Sequence, residues 1–370
     1  MIKKVAIRVD ASLHIGTGHV MRCLTLGNAL RVKGAEVVFI TRQHPRNLIG
    51  FIQQKGFVLH QLPLLPDGEK TTETGLPQKL MHSQWLGVSQ HQDALECIPL
   101  LQEIQPDWLV IDQYAIDCRW QGLLKPYYKK LMVIDDLADR QHECDVLLDQ
   151  NLGRKVSDYR ELVPANARLL LGTDFALLRP EFTRWRDFSL KRRATKPELK
   201  HLLITMGGID TNNVTGRVLT VLKDCALPSD LKITVVMGGA APWLEQVKQQ
   251  AAQMPNATEV KVNVANMAEI MADSDLAIGA AGSTSWERCC LGLPTLMVVL
   301  ADNQLIIANA LERTNAAYLI GDQAAIVNQL PVLMNQAMLS SVQLAAMSHA
   351  ASAIVDGAGV ERVIALLEIN

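Results

Sequence analysis

The chain has 370 residues, 49% of them apolar and 5% aromatic, with a formal net charge of −2. That length exceeds the usual single domain and predicts two domains of roughly 150–200 residues each, while the near-neutral balance excludes a global electrostatic case for nucleic acid or anionic membrane. The seven cysteines are scattered without a C-x-x-C pair, which fits buried thiols of a reducing compartment and not a disulfide framework or zinc site. Apolar runs such as Pro294–Ala301 have strand length, well short of the roughly 20 residues of a spanning helix. No signal-type segment precedes the first strand. A cytoplasmic protein without membrane insertion is expected.

Read in chain order, the first element is an apolar strand, Val5–Val9, closed by Asp10. A Ser- and Gly-containing turn with Gly16 and Gly18 follows, and a helix begins at His19 and runs to Lys33. Strand, Gly-loop and helix entry form an anion device, because unpaired N–H groups and the positive end of the dipole face outward. A histidine placed there adds a group that moves a proton near neutral pH. A dinucleotide fingerprint fails on detail: Met21 stands where a small residue packs helix on strand, and the next strand ends in Thr41–Arg42, without an acid for a ribose.

Further strands are expected at Glu36–Thr41, Trp108–Asp112, Lys130–Ile134 and Val146–Leu148, with helices at His44–Lys55, His91–Ile104 and Asp117–Tyr128. Strands alternating with helices imply a parallel, doubly wound sheet. Leu62–Gln84 has no period and reads as a surface loop bordering the site. Residues 183–200 carry Arg184, Arg186, Lys191, Arg192, Arg193, Lys196 and Lys200 against two acids, which reads as a solvated linker. The domains are therefore placed at 1–182 and 201–370.

The second domain repeats the pattern. Strands are expected at His201–Met206, Lys232–Met237, Glu259–Asn263, Leu276–Ala280 and Thr295–Leu300, with Gly207–Gly208 and Gly238–Gly239 in the loops after the first two. Two doubly wound Rossmann-like domains then face a cleft, with ligands beyond the carboxyl ends of the strands. After the strand at Leu276–Ala280, Ser283, Thr284 and Ser285 open a helix suited to a diphosphate. Glu287, one turn on, suits two ribose hydroxyls. Thr284-x-x-Glu287 is equally a capping box, in which the carboxylate only bonds the helix start. Ala301–Gln304 is a polar cluster on the same rim. Asp135 and Asp136 follow a strand without a third ligand, so they read as loop caps and no metal is expected. His14 reads as structural.

Three segments together, R-x-D-x-S-x-x-I-G-x-G-H-x-x-R (Arg8–Arg22), MGG-x-D (Met206–Asp210) and GSTSWE (Gly282–Glu287), resemble one family. It is the UDP-2,4-diacetamido-2,4,6-trideoxy-β-L-altropyranose hydrolases of pseudaminic acid biosynthesis. The resemblance covers essentially the whole chain and implies the two-domain GT-B architecture of UDP-sugar glycosyltransferases. It implies removal of UDP by inverting addition of water at the anomeric carbon, from a UDP-linked diacetamido-trideoxy sugar, by a monomer without cofactor. His19 corresponds to the general base and Glu287 to the ribose ligand. Ser283, Thr284 and Ser285 flank the diphosphate, with Gly207 and Gly208 in the opposing loop. Gly16, Gly18, Arg22, Asp112, Tyr114, Asn303 and Gln304 complete the expected substrate contacts. Asp10 is expected either to orient the His19 ring or a water, or to cap its own loop through Ser12 and the backbone. Trp286 replaces an Asn found in some relatives and is given no polar role; Gln113 stands where some carry His. A GT-B glycosyltransferase with the same donor site, or a binding module without turnover, remain the alternatives.

Overall fold

The strands are short runs rich in Val, Ile and Leu, and the interior ones are buried on both faces, the pattern of parallel strands covered by helices on either side. The computed structural model describes residues 3–64, 80–195 and 198–367. They fall into two units, one made of residues 1–177 with 359–370, the other of residues 178–358.

The first unit holds β1 (Lys4–Val9), α1 (Gly18–Val32), β2 (Glu36–Arg42), α2 (Ile49–Gln54), β3 (Val58–Leu62), α3 (Gln90–Ile104), β4 (Trp108–Asp112), α4 (Cys118–Leu124), β5 (Lys130–Ile134), β6 (Val146–Asp149), the single turn α5 (Val156–Tyr159) and β7 (Arg168–Leu171). The strand order is β3-β2-β1-β4-β5-β6-β7, parallel throughout. The order reverses between β1 and β4, and ligands of such sheets bind beyond the strand ends at that switch point.

The second unit holds α6 (Pro180–Thr195), β8 (His201–Thr205), α7 (Val214–Lys223), β9 (Lys232–Met237), α8 (Leu244–Ala251), β10 (Thr258–Val262), α9 (Met267–Asp273), β11 (Leu276–Ala280), α10 (Thr284–Cys290), β12 (Thr295–Val298), α11 (Leu305–Arg313), β13 (Ala317–Gly321), α12 (Ile326–Leu339) and α13 (Ser341–Ser352). Its parallel sheet runs β10-β9-β8-β11-β12-β13, with its switch point between β8 and β11. The last helix, α14 (Gly359–Leu366), returns to the first unit, where Val360, Val363, Ile364 and Leu367 join the core formed by Val5, Leu26 and Leu30. Among the described residues no helix is long and apolar enough to cross a membrane.

Several expectations are corrected. The presumed linker at 183–200 is largely the helix α6, and although Arg184 is exposed as expected, its other three arginines are tied to the protein. Arg186 donates to the carbonyls of Cys290, Ser352 and Val355, and Arg193 to those of Ser274, Met271 and Leu291. Arg192 pairs with Asp275 at 2.5 Å. These cations satisfy carbonyls that helix ends and turns leave open. Lys196 lies outside the described residues. The second domain also stops at 358, because α14 buries its apolar face in the first unit. The helix expected from His44 starts only at Ile49, since Pro45 pushes the preceding residue out of helical geometry and Arg46 takes a φ of +57°. Of the loop expected at Leu62–Gln84, residues 65–79 lie outside the described residues; Leu62 ends β3, and Ser83–Leu86 is a 3-10 helix.

Beneath the switch point of the first sheet lies a buried charge network. Arg8 of β1 donates to Asp10 (2.6 Å) and, by two nitrogens, to Asp93 of α3 (2.8 and 3.3 Å). Arg42 of β2 reaches the same Asp93 at 2.7 Å and Glu96 at 2.6 Å, and Trp120 Nε1 donates to Asp93 at 2.9 Å. Asp10 also accepts from the Arg42 amide (2.7 Å), Thr41 Oγ1 (3.2 Å) and Gln113 Nε2 (2.8 Å). Burial alone raises the Asp10 carboxyl, but the Arg8 charge, then the neighbouring His44 and the Arg8 hydrogen bond, outweigh it and hold the group well below its ordinary range.

Asp10→Asn removes this charge and leaves Arg8 under-compensated, so it is expected to cost about 3–5 kcal/mol in urea unfolding at pH 7. With the folded-state carboxyl depressed, the stabilisation is complete above its unfolded value near ~3.9 and is lost as pH falls through the folded value. The gap between wild type and variant should therefore be constant from pH 7 to 5 and close only in stronger acid. A gap unchanged down to the acid unfolding limit would contradict this role.

Candidate functional site

The loop after β1 is shaped by its own side chain. Ser12 Oγ accepts from the amides of His14 (3.2 Å) and Ile15 (3.1 Å), and Ser12 O accepts from the Gly16 amide (2.9 Å). Gly16 has a φ of +79°, which excludes most side chains on conformational grounds although space around it is open. The N-cap Thr17 makes no side-chain cap bond, and Gly18 then opens α1. This puts His19 in the first turn at the end of β1. His14 is exposed.

His19 Nδ1 lies 2.6 Å from Asp112 Oδ1, at the end of β4. Arg22, one turn further along α1, grips the same carboxylate through Nε (2.6 Å to Oδ2) and Nη2 (2.7 Å to Oδ1). Asp112 is 1% exposed. Burial pushes its carboxyl up, but the Arg22 charge first and His19 second hold it well below the ordinary carboxylate range. An ionised carboxylate only accepts, so the proton of a neutral His19 sits on Nδ1 and Nε2 carries the free lone pair. That is the arrangement of an oriented general base.

The orienting group is therefore Asp112. Asp10 has no bond to His19: its oxygens are taken by Arg8, Thr41, the Arg42 amide and Gln113, so it neither orients the ring nor caps its loop through Ser12. Its nearest histidine is His44, at 3.7 Å. Gln113 stands beside Asp112 as a brace for Asp10. Tyr114 is 4% exposed, sets its ring edge-on to His19 at 4.6 Å between centroids, and donates its hydroxyl to Asp136 at 2.5 Å.

Asp136 is the residue that reading the sequence missed. It follows β5, pairs with Arg22 Nη1 at 2.7 Å and accepts a hydrogen bond from the Tyr114 hydroxyl, so it ties together both neighbours of His19. Asp135 does cap its loop, accepting from the Ala138 amide at 2.9 Å, and adjacency concealed the difference between the two. Among the described residues no three His, Cys, Asp or Glu side chains group as metal ligands.

The expected nucleotide residues lie in the second unit, after β8, β11 and β12. Gly207 has a φ of +90°, and Gly208 O accepts from the Gly238 amide at 3.1 Å. A Cβ on Gly238 would stand 2.1 Å from that oxygen, so the two loops meet only through glycine. Asp210 caps α7, accepting from the Val214 and Thr215 amides at 2.8 Å each. Ser283 and Thr284 are half-buried at the start of α10. Ser285 is turned inward: it is 1% exposed and its Oγ accepts from Arg288 Nη2 at 2.9 Å. Trp286 is 1% exposed.

Glu287 makes no capping box, since no side-chain bond closes the start of α10. Its nearest cation is Arg179, at 3.6 Å. Burial raises its carboxyl above the ordinary range, with Arg179 and Arg288 pulling it back. Gln304 accepts from the Leu300 amide at 3.0 Å and shapes the turn after β12, while Asn303 is exposed.

Residues 201–361 match the glycosyltransferase family 28 C-terminal domain. An uncharacterized protein of Methanocaldococcus jannaschii is 29% identical over 309 residues, 82% of this chain and 56% of that protein. The chain thus spans little more than half the length of that relative. The UDP-2,4-diacetamido-2,4,6-trideoxy-beta-L-altropyranose hydrolase of Campylobacter jejuni is 26% identical over 302 residues, 81% of this chain and 93% of the relative. The crystal structure of MurG from Acinetobacter baumannii matches with a TM-score of 0.70 at 16% identity, covering 99% of both chains, a likeness of fold. The chain has the GT-B fold, with a second unit matching the family 28 C-terminal domain, and over four-fifths of its length it is similar to the Campylobacter UDP-sugar hydrolase.

Proposed function

We propose that the protein hydrolyses a UDP-linked amino sugar, UDP-2,4-diacetamido-2,4,6-trideoxy-β-L-altropyranose, to the free sugar and UDP. The observation that carries this reading is the His19–Asp112 pair, a base with an oriented free nitrogen at the start of α1. Water gives a proton to His19 Nε2 as its oxygen bonds the anomeric carbon, and the bond from that carbon to the UDP oxygen breaks. The imidazolium formed is stabilised by Asp112, which Arg22 keeps ionised and in place. Gly207, Gly208, Ser283, Thr284 and Glu287 of the second unit take the UDP, and backbone donors there offset the charge that develops on the leaving phosphate. Attack opposite the leaving group inverts the centre. No cofactor enters this scheme.

A second reading, a glycosyltransferase with the same UDP-sugar donor, is favoured by the family 28 match over residues 201–361. Incubation with the UDP-sugar and no acceptor separates the two. Stoichiometric UDP release supports hydrolysis, whereas release only after an acceptor is added supports transfer.

His19→Ala is expected to lower turnover by about two to four orders of magnitude, the usual worth of a general base, with UDP affinity nearly unchanged. Near-normal turnover in a folded variant would remove His19 from the mechanism. Glu287→Gln should weaken UDP binding about tenfold or more, because a carboxylate on two ribose hydroxyls forms charge-assisted bonds that an amide does not replace. Calorimetric titration with UDP checks this; unchanged affinity would detach Glu287 from the nucleotide. In oxygen-18 water the label should enter the sugar alone, and label in UDP would mean attack at phosphorus.

A further inference from the structure

Beside the His19–Asp112 pair lies an aromatic group that the proposed mechanism does not use. Trp85 stacks on Tyr114 with centroids 5.5 Å apart and planes 22° from parallel, and its ring is 6.3 Å from that of His19. His82 is 4.4 Å from Trp85 and 5.5 Å from Tyr114. Tyr114 is buried, and its hydroxyl is committed to Asp136. Trp85 and His82 are half-buried, so they are the aromatic surface that a ligand at His19 can still reach.

The placement is enforced from below. Both residues sit at the 3-10 turn Ser83–Leu86, which Gly87 ends with a φ of +78°. A Cβ on Gly87 would meet Leu64 at 2.8 Å and His44 at 3.0 Å, so the turn is pressed against the end of β2 and the residues after β3. Stacking on Tyr114 then links Trp85 through Asp136 and Arg22 to Asp112. Burial first, then the Arg140 charge, holds the His82 imidazole below its ordinary value against the opposing pull of Asp139, so the surface is uncharged near pH 7.

A rigid, uncharged aromatic face next to the water-activating group is suited to a ligand that is apolar on one side. A pyranose presents such a side through its ring C–H bonds, and a 6-deoxy sugar extends it with a methyl group. We infer that Trp85, flanked by His82, is the wall against which the sugar ring of the substrate stacks through its C–H face. The inference rests on the proposed UDP-sugar reading. Trp85 is a binding residue; it takes no part in proton transfer.

The test is calorimetric titration of wild type, Trp85→Ala and Trp85→Phe with UDP and with a UDP-linked 6-deoxy diacetamido sugar, after melting curves have shown all three folded. In the wild type the sugar nucleotide should bind more tightly than UDP. Trp85→Ala should lose about tenfold in affinity for the sugar nucleotide and none for UDP, and Trp85→Phe should recover most of the loss. Equal sugar-nucleotide affinity in wild type and Trp85→Ala would overturn the wall and leave the UDP-sugar reading standing. A parallel loss for UDP, or no rescue by Phe, would also overturn it. A wild type that binds neither probe would overturn the functional reading, and the wall with it.

Discussion

One buried carboxylate organises the first unit's site. Asp112 ends β4 at the switch point of the sheet, where water is excluded and an unpaired charge is costly. Its charge is met by Arg22, and the remaining Arg22 nitrogen is met by Asp136, which in turn accepts from the Tyr114 hydroxyl. Each partner brings another loop with it: α1 is drawn to the end of β4, and the residues after β5 are drawn to both. His19 acquires its orientation as a result of this pairing, because the same carboxylate oxygen that binds Arg22 accepts from its Nδ1–H.

The second unit solves its local problem differently. Its loops after β8 and β9 are set by close backbone approach at Gly208 and Gly238, and β11 passes so near Arg288 that a Cβ on Gly279 would lie 2.7 Å from the guanidinium. Arg288 spends its donors on Ala280 O, Ser285 and Thr284, holding the start of α10 from the inside. Ion pairs hold the proposed base of the first unit, whereas small residues and backbone shape the proposed nucleotide loops of the second. The division follows the chemistry proposed for each: a base needs a fixed direction, and a diphosphate needs N–H groups it can approach.

Much of this architecture was legible in the sequence, because interior strands such as Trp108–Asp112 and Leu276–Ala280 are continuous apolar runs. The strands that went unread, Val58–Leu62, Arg168–Leu171 and Ala317–Gly321, all lie at sheet edges, where one side is solvated and the apolar signal thins. His19 and Arg22 stood out because Gly-loop geometry is local. Proximity in sequence points to Asp10, not Asp112, as the carboxylate that orients His19. The true pairing crosses 93 residues and depends on the adjacency of β1 and β4. Asp136 was hidden by a neighbour of the same type, and the α6 arginines by their resemblance to a solvated run. Contacts between elements distant in sequence leave no spacing to read.

The return of α14 to the first unit has a consequence for how the chain can be divided. Trp108 Nε1 donates to the carbonyl of Leu367, and four apolar residues of this last segment complete a core begun at Val5. In chain terms the second unit is an insertion within the first, entered after Leu177 and left before Gly359. A cut after Leu177 leaves α14 docked in the first unit while still attached to the second, a cut before Gly359 leaves the chain continuous at Leu177–Leu178, and a fragment ending at Leu177 lacks part of its own interior. Exchange of the proposed nucleotide-binding unit between relatives therefore requires two joints made together, and recombination at a single joint hands one partner the other's missing helix.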